Sequence, residues 1–199
     1  MRRLIASVGL LFIMGVHGQA QECCKRAELF GSFSYFNASS KTDRIPANFG
    51  FKGRISQRGY GIDLAYNFTK SWAMVADFSQ QMRDEKINGM NADTTTYNYL
   101  FGLRLAPQGD GLSPFAEALV GASRRKTIID DLRIRNTDFA LGFGGGVDIE
   151  AGRNFAVRAF RFNYIPVRGG DDAPGVGRRW SQNFRAQVGI IFRFGPLIQ

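Results

Sequence analysis

Residues 184–194 read FRAQVGIIFRF. The even positions, Phe184, Ala186, Val188, Ile190, Phe192 and Phe194, are all apolar, and the odd positions include Arg185, Gln187 and Arg193. A helix would scatter these two sets around its circumference. A strand sends successive side chains to opposite faces, so one face is purely apolar and the other carries charge. Such a sheet needs apolar surroundings on one side and polar ones on the other. A secreted soluble sandwich meets that need, and so does a membrane barrel with lipid outside and a polar lumen.

The N-terminus bears on the choice. Arg2 and Arg3 precede an apolar run over residues 4–16, and Gly18-Gln19-Ala20 follows as a small-x-small cleavage site. This pattern is that of a secretory signal peptide, too short and wrongly flanked for a spanning helix. We expect residues 1–20 to be removed, leaving 21–199 as a single domain. No later stretch approaches the ~20 apolar residues of a transmembrane helix, so any span must be built from strands.

Composition agrees. The chain holds 24 Gly and 18 Phe, and its formal net charge is +9. Loss of Arg2 and Arg3 leaves about +7. Basic charge can serve nucleic acid, anionic lipid or solubility, and export argues against nucleic acid. Cys23 and Cys24 are adjacent, so they cannot staple the fold together. They form an intermolecular or redox pair, or they sit in a frayed terminus. Gln21-Glu22 before them rules out a lipoprotein cleavage box.

Period-two patterning recurs in eight runs, near residues 27–37, 58–68, 72–81, 95–106, 114–123, 138–150, 155–165 and 184–194. Eight such runs match the signature of a membrane barrel. The sixth is very clean: Phe139, Leu141, Phe143, Val147 and Ile149 alternate with Ala140, Gly142, Gly144, Gly146 and Asp148. The seventh is ambiguous. Orienting it by Arg161 and Asn163 inward leaves Arg158 outward, unless a bulge resets the register. The connections alternate in length. Short turns lie at 69–71, 107–112 and 151–154, and long loops at 38–57, 82–94, 124–137 and 166–181. The reading is an all-β, eight-stranded antiparallel up-and-down transmembrane barrel, with short turns and both termini in the periplasm and no further periplasmic domain.

The stretches ELFGSFSYF (28–36), YNFTKSWAMVADFS (66–79), SPFAEALVGA (113–122) and FALGFGGGVDI (139–149) carry a resemblance over essentially all of the expected mature chain. It resembles the small eight-stranded outer-membrane barrels of the OmpA/OmpX type, a porin-like outer-membrane β-barrel group. The resemblance implies a bacterial outer-membrane location. It also implies a terminal-strand signal, polar-x-Gly-x-x-aromatic-x-aromatic, read by the barrel assembly machinery. Gln187, Gly189, Phe192 and Phe194 fit it in order. In many relatives the last aromatic ends the chain, whereas here Gly195 to Gln199 follow. Any alternating edge strand would satisfy so loose a pattern.

Two groups of charges remain. Asp63, Asp77, Glu117 and Asp148, with Arg104, Arg161, Arg185 and Arg193, fall on the inward faces, and their signs cancel. Eight strands leave an interior only wide enough for side chains to fill, where unpaired ions are costly. We therefore expect an ion-pair network plugging the lumen; the alternative is a narrow polar pore, a porin-like channel for small solutes. The second group lies in the expected outer loops: Lys41, Arg44, Lys52, Arg54 and Arg58; Arg124, Arg125, Lys126, Arg133 and Arg135; Arg168, Arg178 and Arg179. Arginine suits phosphate through paired donors. Arg124, Arg125, Lys126, Arg178 and Arg179 are the candidates for lipopolysaccharide contact, and an unidentified surface ligand is the other use for such loops. Trp72 and Tyr66 beside a short turn, and Trp180 at the opposite end, suit interfacial girdles.

Some barrels of the resembled class are enzymes acting on lipid A. The only His, His17, lies in the signal segment, so the mature chain cannot build a His-assisted catalytic site. Zinc ligation lacks ligands. Gly144-Gly145-Gly146 reads as close packing rather than a phosphate cradle. We expect no enzymatic activity, no cofactor and no metal.

Overall fold

A computed structural model describes residues 25–39, 54–87, 90–107, 111–129, 132–152, 154–169 and 180–197. They form eight strands: β1 (Lys25–Ser39), β2 (Arg54–Asn67), β3 (Trp72–Ile87), β4 (Met90–Leu105), β5 (Leu112–Ile129), β6 (Leu132–Glu150), β7 (Phe155–Arg168) and β8 (Trp180–Leu197). Each pairs antiparallel with the next, and β8 closes on β1. Closure leaves no sheet edge along the barrel wall. With an even number of strands, the two ends of the barrel sequence meet at one rim, where Lys25 pairs with Leu197.

The alternation read from the sequence appears as an inverted core. Outward positions hold large apolar residues left exposed, among them Phe33, Met74 and Ile190 (58%, 60% and 62% exposed). Inward positions hold buried polar and charged residues such as Asp77, Asn98, Arg161 and Arg185, each fully buried. A water-soluble sandwich would do the reverse. An apolar exterior running round the whole barrel far exceeds the patches tolerated by soluble monomers, so its surroundings are hydrocarbon. Among the described residues no helix is long and apolar enough to cross a membrane; the strands make the crossing.

The short connections are tight. At the β2–β3 turn, Trp72 N donates to Thr69 Oγ1 at 2.9 Å and Phe68 N donates to Trp72 O at 3.1 Å. At the β4–β5 turn, Gly111 takes φ +97°, which side chains with a Cβ rarely adopt. Trp72 and Tyr66 are exposed at this rim and Trp180 at the other, which places aromatic rings where a membrane interface would lie.

Two expectations need correction. The loops expected at 82–94 and 124–137 are largely strand: β3 and β4 pair as far as Ile87 and Met90, and β5 and β6 as far as Ile129 and Leu132. These extensions lack an apolar outward face, because beyond the hydrocarbon a strand needs only its backbone ladder. The seventh strand has the bulge: both of its ladders shift register around Ala159. The extra residue turns Arg158 inward, fully buried, rather than outward. The interior also holds apolar groups. Phe36, Val75, Leu100, Leu119 and Ile165 belong to one buried apolar cluster, and Phe30, Ala156 and Ile191 form another. The lumen is packed like a core.

Candidate functional site

The structure brings all eight of the inward charges named from the sequence into the lumen and adds Glu28, Glu150 and Arg158. Five carboxylates (Glu28, Asp63, Asp77, Glu117 and Asp148) and five guanidinium groups (Arg104, Arg158, Arg161, Arg185 and Arg193) are buried. Glu150 joins them at the short-turn rim. Every strand contributes at least one member.

Glu117 on β5 is a hub. Arg104 donates to its Oε2 through Nε and Nη2 at 3.2 and 3.1 Å, and Arg161 Nε and Asn163 Nδ2 donate to its Oε1 at 2.6 and 2.7 Å. Asp63 accepts from Arg161 Nη1 and from Arg104 Nη2. Asp77 lies 2.9 Å from Arg161 Nη2 and accepts both terminal nitrogens of Arg185. Towards the short-turn rim, Glu28 accepts from Arg193 Nε at 3.0 Å and lies 3.7 Å from Arg104 Nη1, while Arg193 Nη1 reaches Glu150. These links form one connected network. Its equal numbers of buried opposite charges meet the condition under which ions are tolerated out of water.

Arg158, placed by the bulge, is held by a paired bond and two rings. Its Nε and Nη2 donate to Asp148 Oδ1 and Oδ2 at 2.7 and 2.9 Å, the paired geometry that suits guanidinium to carboxylate. Its guanidinium carbon lies 4.3 Å from the ring centres of both Phe30 and Phe115, a cation sandwiched between two π faces. Glu28 and Phe30 both fall on the inward alternation of β1, so the pattern carried them; Arg158 was hidden by the bulge.

Towards the long-hairpin end the lining changes to uncharged groups. Asn98 Nδ2 donates to Gln81 Oε1 at 2.9 Å, Gln81 Nε2 to Ser34 Oγ, and Arg185 Nη1 to Ser79 Oγ at 2.7 Å. This belt joins the ionic layer through Arg185.

The basic residues of the third expected loop lie on strands, which sorts them by face. Arg124 and Lys126 point outward on β5, whereas Arg125 between them takes the lumen-side face, opposite Thr96 and Asn136. The ladders thus set Arg124 and Lys126 on one face and Arg125 on the other. Arg133 and Arg135 share the outward side on β6, and Lys126 stands directly opposite Arg135 in the ladder. Arg58 is exposed on β2, opposite Met82. Lys41, Arg44, Lys52, Arg178 and Arg179 lie outside the described residues.

In the terminal strand, Gln187 points inward and donates to Ser32 Oγ at 2.9 Å. Gly189 sits on the closing seam, where a Cβ would stand 2.0 Å from Gly31 O. Phe192 and Phe194 point outward with ring centres 5.9 Å apart, and Phe155 packs 5.0 Å from Phe192. Cys23 and Cys24 lie outside the described residues.

A closed eight-stranded barrel with an apolar exterior and an ion-paired, packed interior defines an integral membrane β-barrel. The family described as outer membrane protein beta-barrel domain matches residues 6–192, and the chain belongs to that family; it is a bacterial outer-membrane protein. Solved structures share the fold. Neisserial surface protein A superposes with a TM-score of 0.62 at 14% identity, covering 84% of this chain and 97% of that one. Ail of Yersinia pestis, in complex with the heparin analogue sucrose octasulfate, gives 0.56 at 18% identity, covering 85% and 99%. OprG of Pseudomonas aeruginosa gives 0.53 at 14% identity, covering 88% and 98%. Among curated proteins, none matches the sequence.

Proposed function

We propose that this barrel is a non-enzymatic envelope protein that works through its outer surface, with its lumen closed by the ion-pair network. In this reading the short-turn rim and both termini face the periplasm, residues 1–20 direct export, and Gln187, Gly189, Phe192 and Phe194 present the strand read by the assembly machinery. The outward basic face of the β5–β6 hairpin meets phosphates of lipopolysaccharide.

One observation carries the proposal. Lys126 and Arg135 are directly opposed across the ladder on the outward face, with Arg124 and Arg133 diagonal to them. Directly opposed like charges destabilise a sheet. An anion lying over the pair removes that cost, and arginine presents paired donors to phosphate. The Ail structure with sucrose octasulfate supplies a convenient polyanionic probe. The purified barrel in detergent should bind that probe and lipopolysaccharide, with affinity falling as salt rises. Replacing Arg124, Lys126, Arg133 and Arg135 by Gln should abolish binding while folding persists; equal binding by that variant would overturn the proposal.

A narrow channel for small solutes is the second reading. In its favour, Gln57 Oε1, Thr96 Oγ1 and Asn98 Oδ1 are buried in the uncharged half of the lumen without a protein partner, and water would satisfy them. Planar-bilayer recording separates the two. The closed reading expects no openings, and steady openings by the intact protein would favour the channel.

A further inference from the structure

The basic face does not end in polar surface. It continues, on the same side of the same strand, into the lipid-facing wall. Arg124 and Lys126 are followed towards the middle of β5 by Ala122, Val120 and Ala118, all outward. The ladders set Ala122 between Tyr99 and Phe139, and Ala118 between Leu103 and Phe143. These four neighbours are exposed and large. The result is a trough with a low floor on β5 and high walls on β4 and β6, whose outer end is capped by the opposed cations. Successive outward residues on a strand are about 6.7 Å apart, so the floor from Ala118 to Arg124 runs about 20 Å. A hydrocarbon leaflet is about 15 Å thick, and strands in such barrels are tilted by ~35–45°, so the trough fits one leaflet.

We propose that this is a binding site for an acylated lipid with a phosphate headgroup, in the leaflet at the long-hairpin end. The phosphate sits over Arg124, Lys126 and Arg135, and one acyl chain lies along the β5 trough. The site rests on the reading that the outward basic face binds anions, and it adds the lipid and its orientation. Charge selects the headgroup, because a zwitterionic lipid gains less from the cations. The walls select a chain, because lipid tails are as apolar as the barrel and only close packing favours one lipid over its neighbours. A soluble polyanion uses the cations alone.

The full chain, refolded in detergent, is mixed separately with lipid A, phosphatidylcholine and sucrose octasulfate, and retained ligand is measured by native mass spectrometry. Two variants divide the site. Ala118→Phe with Ala122→Phe fills the trough; Arg124→Gln, Lys126→Gln and Arg135→Gln together remove the cap. Heat-shifted gel mobility verifies folding of each, and Ala118→Leu with Ala122→Leu serves where the double Phe variant fails to fold. The expected result is preferential retention of lipid A by the native sequence, a several-fold loss in the trough variant with sucrose octasulfate binding unchanged, and loss of both in the cap variant. A folded trough variant that retains lipid A like the native chain overturns the lipid site but leaves the anion-binding reading standing. Undiminished binding of both probes by the cap variant overturns both.

Discussion

Arg161 Nε donates to Glu117 Oε1 at 2.6 Å although a whole strand separates them. Glu117 is on β5 and Arg161 on β7; between them β6 offers Gly144, opposite Glu117, and Gly146, opposite Arg161. Neither glycine has a side chain to obstruct the bond. A Cβ at Gly144 would stand 2.3 Å from both Asn163 Nδ2 and Phe162 O, and one of those contacts is rigid backbone. The glycine run is the floor over which the two charges meet. Gly144→Val should therefore lower stability by about 1–3 kcal/mol, the usual cost of overpacking. Urea titration in lipid vesicles measures it, and an unshifted midpoint would argue that β6 has slack.

Removing the hub should cost more. Glu117→Ala strips a shared partner from Arg104 and Arg161 together, leaving both guanidinium groups to Asp63, Asp77 and Glu28, and breaking a buried ion pair costs about 3–5 kcal/mol. Arg104→Ala should cost less, because Arg161 and Asn163 still hold Glu117 through Oε1. The same titration ranks them. Unchanged stability in both variants would mean that the network does not hold the barrel closed.

The bulge offers a more selective test. Ala159 has no partner in the β6 ladder, where Asp148 faces Arg158 and Val147 faces Phe160. Deleting it should leave a regular ladder with Arg158 still inward, so folding into vesicles is expected to persist. Arg158→Lys keeps the charge but loses the paired bond with Asp148 and the sandwich between Phe30 and Phe115, so folding yield should fall. Failed folding of the deletion variant would show that the bulge itself, and not only the inward facing of Arg158, is required.

Lipid exposure itself can be separated from ordinary surface exposure. Ile190 is 62% exposed and points outward. On a soluble protein, Ile190→Arg would change stability by no more than about 0.5 kcal/mol. In a bilayer the expectation is a loss of up to about 2–4 kcal/mol, graded with depth. Refolding equilibria in vesicles distinguish these values, and a near-neutral result would place this face in water.

What could be read beforehand follows from where one face must be apolar. Residues 139–149 and 184–194 alternate without interruption because both sit in the wall, between lipid and packed lumen, and there the period of two is compulsory. In β7 the same rule failed, since one inserted residue at Ala159 exchanges the faces and only the ladders to β6 and β8 reveal it. The outer hairpins were legible only as polar segments. Residues 124–128 and 133–137 are strands made by backbone pairing, with polar groups on both faces, so alternation carries no signal. Proximity in sequence alone sets Arg125 beside Arg124 and Lys126, whereas the strand sends it to the opposite face. The lumen charges could be named from their faces, but the bonding could not. Which carboxylate meets which guanidinium depends on the register of eight ladders and on the space left by Gly144 and Gly146.

The most direct test is the environment in which the purified chain keeps its fold. In detergent micelles or lipid vesicles it should show a β-rich circular dichroism spectrum and a heat-shifted gel mobility, and withdrawal of the amphiphile should precipitate or unfold it. A monodisperse, fully folded species in plain aqueous buffer would contradict an exterior built for hydrocarbon.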